Sequence, residues 1–260
     1  MLRPRIIPCL LIRDKGLVKT IGFSPGKYVG DPVNAVKIFN EKEVDELMFV
    51  DIDATARGAA PDYKLIENIA AESRMPLCYG GGVKTVEQAR TIIGLGVEKV
   101  ALSSAAVADP TLVSRVAEEV GNQSVVAVLD VRRTRAAGGY EVFTHNGSVN
   151  TGLRPEVFAS QLEKLGVGEI VINSIDNDGL MKGYDITLVR RIRDVTNVPI
   201  TALGGAGSLK DIGELITSFG VIGAAAGSLF VFKGVYKAVL INYPSPTEKD
   251  ALLAARKRAS

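Results

Sequence analysis

Asp130 and a set of glycine-rich turns carry the chemistry that can be read from this chain. Asp130 closes the run Ser124-Val-Val-Ala-Val-Leu-Asp130, which is otherwise almost wholly apolar. A carboxyl group at the end of a buried strand is raised in pKa by burial and can serve as a general acid or base. The competing role is an ion pair with Arg132 or Arg133. The glycines point to phosphate. Gly204-Gly205-Ala206-Gly207-Ser208 follows the apolar run 199–203, and Ala224-Ala225-Ala226-Gly227-Ser228 follows Val221-Ile222-Gly223. In both places a strand pattern gives way to a helical one. Glycine there accepts positive φ and lets backbone N–H groups approach a ligand closely. A helix start adds unpaired N–H donors and the positive end of the helix dipole.

The same pattern stands half a chain earlier. Gly80-Gly81-Gly82 follows Pro76-Leu-Cys-Tyr79, and Ser103-Ser104 follows Val100-Ala-Leu102. The step from Gly96 to Ser103 equals the step from Gly220 to Gly227. Matching steps mark an internal repeat. They predict an α/β chain folded as a (β/α)₈ TIM barrel made of two half-barrels, with phosphate cradles facing each other across its mouth. One cradle is assigned to Gly81, Gly82, Ser103 and Ser104, the other to Gly204, Gly205, Gly227 and Ser228. A ligand phosphorylated at both ends fits that symmetry. Glycines that only make tight turns would not need two copies at matching spacing.

The elements that position these residues follow in order. Arg5-Ile-Ile-Pro-Cys-Leu-Leu-Ile12 is continuous enough in apolar character for a first barrel strand. Residues 13–30 are polar and glycine-rich and too long for an ordinary connection, so a lid over the mouth is expected, with Lys19 either facing an anionic substrate or exposed to solvent. Asp31-Pro32 starts a helix. Strand two ends at Asp51, which either meets substrate or holds its loop together with Asp53. Gly138 to Gly147 reads as a hairpin with an Asn146-Gly147 turn that leaves His145 on the surface. Strand six begins at Glu169 and leads to Asp176 and to Asp178, a candidate substrate-loop residue. The last barrel helix is expected over 235–242. The barrel is bounded at 1–243, with a tail, 244–260, that carries Lys249, Arg256, Lys257 and Arg258 and forms a loosely docked helix or a frayed end.

Bulk composition excludes several classes. The chain has 260 residues, 47% of them hydrophobic, and a net charge of +2, so no polyanion is implied as a partner. It has no Trp and 6% aromatics, which argues against a base-stacking nucleic-acid surface. Cys9 and Cys78 lie in apolar runs and read as buried thiols of a reducing cytoplasm. No apolar run reaches membrane-spanning length and no signal-type segment follows the first residues. A single His, His145, provides no metal cluster.

Taken together, Arg5-Ile-Ile-Pro-Cys-Leu, Gly30-Asp31-Pro32, Asp45-Glu46-Leu, Gly80-Gly81-Gly82, Asn150-Thr151-Gly152, Ser174-Ile175-Asp176, Asp178-Gly179 and Gly204-Gly205-Ala206-Gly207 resemble the cyclase subunit of imidazole glycerol phosphate synthase, HisF. The resemblance runs from about residue 3 to residue 240. It implies a barrel that takes ammonia from a glutaminase subunit of the HisH type, in a heterodimer, and passes it through its interior to a bisphosphorylated ribonucleotide. No cofactor and no metal are implied. The resemblance assigns Gly82, Ser103 and Ser104 to one phosphate and Gly179, Gly205, Gly227 and Ser228 to the other. It also assigns an ammonia gate to Arg5, Glu46, Lys99 and Glu169, all four of the family's residue type.

One departure changes the expected function. The family pairs two aspartates as acid and base; Asp130 matches one, and the other falls on Leu11. Asp14 matches a separate loop aspartate and does not replace it. A leucine transfers no proton, and losing one positioned acid–base group costs ~10²–10⁴-fold in rate. Leu10-Leu11, Gly16 to Lys19, Lys27 to Pro32 and Ile38 to Leu47 resemble the glycosyl-amidation-associated branch of the family, often called WbuZ. That branch implies a glutaminase partner and an ATP-using amidotransferase that makes acetamidino sugars for surface polysaccharide. The expected function is therefore ammonia conduction for sugar amidation. The alternatives are a histidine-pathway cyclase and a non-catalytic phosphate-binding scaffold.

Overall fold

The computed structural model describes residues 3–24, 26–134 and 138–257; Arg258, in the tail named above, lies outside them. Eight parallel strands form the barrel: β1 (Arg5–Arg13), β2 (Leu47–Asp51), β3 (Leu77–Gly80), β4 (Lys99–Leu102), β5 (Val125–Arg133), β6 (Glu169–Ser174), β7 (Ile200–Leu203) and β8 (Gly223–Ala226). Each pairs with its sequence neighbour, and β8 pairs with β1 to close the sheet. The apolar runs are uninterrupted because each strand is covered on both faces. Helices α1 (Pro32–Glu41), α2 (Tyr63–Glu72), α3 (Val86–Gly94), α4 (Thr111–Val120), α5 (Pro155–Lys164), α6 (Ile186–Arg193) and α7 (Leu209–Phe219) form the outer layer. The large core lies between them and the strands.

A second, smaller core fills the barrel. Ile7, Cys9, Met48, Cys78, Ala101, Val126, Val171 and Ala225 form it, with Leu11, Val50, Val128 and Leu203 above. Strand side chains alternate between faces, so these residues share the inward face with Glu46 and Asn173 on their own strands or extensions. The half-barrel repeat is visible in register. Leu11 stands opposite Val50 and Asp130 opposite Asn173, each four residues above Glu46 and Glu169 respectively. The caps repeat too. Thr85 and Gln88 form a capping box on α3, and Ser208 and Asp211 form one on α7. Asp31 accepts a hydrogen bond from Asn34 N at the start of α1, with Pro32 in the first turn, as the sequence predicts.

Two expectations need correction. The first concerns residues 13–30, expected only as a polar loop that could act as a lid. Strands Gly16–Lys19 and Lys27–Gly30 extend β1 as an antiparallel ribbon. Tyr140–Thr144 and Val149–Asn150 extend β5 in the same way, so the hairpin expected at 138–147 is one part of a three-stranded ribbon. The second correction concerns the last helix. Residues 235–242 form no helix; Phe232–Lys233 pairs with Ala238–Val239, and Gly234 and Lys237 turn the chain with positive φ. The helix beyond it, α8 (Pro246–Lys257), packs on α7. No helix among the described residues is long and apolar enough to cross a membrane.

Candidate functional site

The C-terminal ends of the strands enclose a mouth that receives Leu11, Lys19, Asp51, Asp130, Asn173, Asp178 and both sets of glycines. Asp130 is half-buried at the end of the inward row of β5. Burial pushes its carboxyl up to about 7, the charge of Asp178 adds to this, and hydrogen bonds from Asn173 and Ser103 oppose it. Asn173 Nδ2 donates to Asp130 Oδ1 at 2.9 Å. The ion pairs weighed against a chemical role do not form: Arg133 pairs with Asp185 at 2.7 Å, and Arg132 approaches Asp176 at 4.0 Å and stacks over Phe143.

Leu11 occupies the place on β1 that Asp130 occupies on β5. It is half-buried and lines the mouth at the top of the inner core. Lys19 ends the first ribbon strand and turns inward. It is 8% exposed, and its Nζ donates to Cys9 O at 2.8 Å. Burial holds the amine below the ordinary lysine value, against the opposing influence of Cys9 and Asp178. Asp178 ties loops together: its Oδ2 accepts from Thr20 Oγ1 at 2.9 Å, and its backbone carbonyl accepts from Gly22 N. Burial raises its carboxyl while Lys19 and Thr20 oppose the rise. Asp51 accepts from Asp53 N and Ala54 N at 3.1 and 3.0 Å, so it holds its loop while lining the mouth. Burial raises it as well. His145 is exposed, as expected, at the rim of the same cavity.

The two glycine turns are equivalent in cause. Gly81 has φ +119° and presses on the backbone of Asp51 at the end of β2. Gly204 has φ +90°, and a Cβ there would meet Ser174 O, at the end of β6, at 2.7 Å. Both positions demand glycine for conformation and for space. Gly82, Gly205 and Gly179 also have positive φ. Gly227 stands against the Lys19 amine, which a side chain at 227 would evict. Ser103 and Ser104, and Gly227 and Ser228, each begin a short helical turn beside these glycines.

At the opposite end the inward row opens with charge. Arg5, Glu46, Lys99 and Glu169 form a closed ring: Arg5 pairs with both glutamates, to Glu169 at 2.7 Å, and Lys99 pairs with both at 2.8 Å. Burial disfavours the Glu169 carboxylate, but Lys99 and Arg5 outweigh it and hold the group below the usual range. Likewise the glutamates hold Lys99 above the ordinary lysine value despite burial. Thr201, 1% exposed on β7, donates its hydroxyl to Glu169, and Gly223 makes room for it.

Sequence reasoning missed Asn173 as the partner of Asp130 and Thr201 as a member of the ring. Their signal lay in matching period-2 rows: Asn173 is four residues above Glu169, and Thr201 starts the inward row of β7.

The family described as histidine biosynthesis protein matches residues 5–237. A Vibrio vulnificus protein provisionally named imidazole glycerol phosphate synthase subunit hisF3 is 58% identical over 97% of both chains. A Leptospira interrogans protein, provisionally named as subunit HisF of the same synthase, is 54% identical over 97% of this chain and 99% of its own. Imidazole glycerol phosphate synthase subunit HisF of Clostridium botulinum, strain Langeland, is 37% identical over 94% of this chain and 96% of its own. The matched segment spans all eight strands, the ring and the mouth, and the chain belongs to the histidine biosynthesis protein family, among its HisF barrels.

Proposed function

We propose that this HisF-like barrel conducts ammonia from a glutaminase subunit, docked at the Arg5–Glu46–Lys99–Glu169 face, to an acceptor at the mouth, and that it serves amidation of a surface-polysaccharide sugar rather than imidazole formation. The observation that carries this reading is Leu11. The site equivalent to Asp130 in the other half-barrel holds an alkyl group, so a ring closure that needs two positioned proton carriers lacks one of them. The ring and the apolar shaft, by contrast, are complete. In this reading an ATP-using amidotransferase supplies the activated acceptor, and a phosphate of a small ligand sits against the glycine turns.

Asp130 favours a second reading, cyclisation of phosphoribulosyl formimino aminoimidazole carboxamide ribonucleotide with ammonia. A carboxyl group near 7 is matched to acid–base work at neutral pH. A cyclase assay with saturating ammonium and the purified chain separates the two, because free ammonium bypasses the glutaminase. Turnover of about 1 s⁻¹ or more, an ordinary enzymatic rate, establishes the cyclase and removes the amidation reading. Absence of turnover with the ribonucleotide still bound supports amidation.

A further inference from the structure

We propose that Lys19 is a carbonyl-reactive amine: its Nζ condenses with the aldehyde or ketone of a small phosphorylated compound in the mouth, and Asp130 carries the protons. The phosphate preference rests on the reading of the glycine turns above; the amine chemistry does not.

The placement of Lys19 is unusual for a lysine. The ribbon runs antiparallel to β1 with Val18 opposite Leu11, and the next residue, Lys19, reaches back to the Cys9 carbonyl. Its side chain is buried and faces the cavity beside Cys9, Leu11, Ala226 and Gly227. Its one hydrogen-bond partner among the described residues is the Cys9 carbonyl. No carboxylate stands within 4.0 Å of it among the described residues. Asp178, whose charge reaches it, is already engaged by Thr20. A desolvated amine without a counter-ion favours its neutral, nucleophilic form, the condition that activates imine-forming lysines. Leu11 is part of the cause: an aspartate there would offer a counter-ion at the same strand end.

The step balances without an oxidant or reductant. The Nζ lone pair adds to the carbonyl carbon, a C–N bond forms, and the C=O π pair moves to oxygen. Protonated Asp130, which lines the same cavity, gives that oxygen its proton and then takes one from the new ammonium nitrogen. The carbinolamine C–O bond breaks as Asp130 protonates the hydroxyl, water leaves, and the nitrogen lone pair closes the C=N bond. The carboxyl near 7 is present in both forms at neutral pH, as the exchange requires.

The test uses the full chain at pH 7 with glyceraldehyde 3-phosphate and, separately, unphosphorylated glyceraldehyde. Borohydride then traps imines, and peptide mass spectrometry follows each lysine. Lys19 is expected to be trapped faster than exposed Lys84 or Lys182, because burial lowers its pKa and leaves more of it as free amine. Asp130→Asn should slow trapping at Lys19 alone, and Leu11→Asp should suppress it while the fold persists by circular dichroism. Equal rates for the two aldehydes would overturn the phosphate preference and leave the amine chemistry standing. Trapping at Lys19 no faster than at Lys84, in the unaltered chain, overturns the proposal.

Discussion

Replacing Asp130 with asparagine should make the protein more stable, by an amount that grows from about pH 4 and is complete above about pH 7. Burial holds the folded carboxyl up at about 7, against an ordinary aspartate value of about 3.8. Between those values the folded protein holds a proton that the unfolded chain has released. Stability therefore falls as pH rises across that window, and the loss is complete above about 7. The full difference sets a ceiling of about 4 kcal/mol at ~1.4 kcal/mol per pH unit. Asp130 is only half-buried at the mouth and accepts a bond from Asn173, so solvent screening reduces the ceiling to about 1–2 kcal/mol. Asparagine keeps the shape, carries no charge and can still accept from Asn173. The assay is the melting temperature of both proteins from pH 4 to pH 8.5. The two should coincide at pH 4, and the variant should melt about 3–6 °C higher at pH 8. A difference that stays flat with pH, or a variant that is less stable at pH 8, would refute the claim that burial strains the ionised form.

Two further predictions concern the ends of the shaft. Leu11→Asp gives up part of a half-buried leucine, about 1 kcal/mol, and should lower the melting temperature by only about 2–4 °C; a drop beyond about 10 °C would show that Leu11 is deeply packed and not at an open mouth. Glu169→Ala leaves Arg5 and Lys99 facing Glu46 alone and should cost about 3–5 kcal/mol, read as loss of melting temperature at pH 7. Because the folded Glu169 carboxyl is held below 4.5, the ring's contribution is present above about that pH and lost as pH falls through the lower folded value, so the penalty should shrink on acidification.

Much of the barrel was legible because its signals are local. On β2, β3, β7 and β8 the strand ends fall where apolar runs meet glycine or aspartate, and the α1 start is marked by Asp31-Pro32. The hairpin turn at Asn146-Gly147 was legible, but the first ribbon is hidden because glycine and polar residues mask its periodicity; its signal is the apolar pairs Leu17-Val18 and Tyr28-Val29 inside residues 13–30. The C-terminal error has a plain cause. Residues 235–242 carry helix-compatible side chains, but Gly234 and Lys237 turn the chain, and the stronger helix start lay beyond. Ser245-Pro246-Thr247-Glu248 forms a reciprocal cap, with Ser245 N donating to Glu248 and Glu248 N donating to Ser245 Oγ. The pairing of Asn173 with Asp130 depends on the register of β5 with β6, which no local pattern encodes.

The inward rows explain why Leu11 matters beyond one missing carboxylate. On β6 the row reads Glu169, Val171, Asn173: charged at the base, apolar in the shaft, polar at the mouth. On β1 it reads Arg5, Ile7, Cys9, Leu11, so the apolar lining continues to the rim. At the mouth, Asp130, Asn173 and Asp178 stand on the β5–β6 side, and the Lys19 amine, bonded to the Cys9 carbonyl, arrives from the ribbon. Neutral ammonia crosses an apolar lining at low cost, whereas ammonium must shed its water. In the proposed reading, ammonia delivered along this lining regains any proton from Asp130. Forming one C–N bond needs only that single carboxyl, while closing an imidazole needs a second carrier on the side where Leu11 stands. Either Lys19 fills that place, or the ring closure does not occur here.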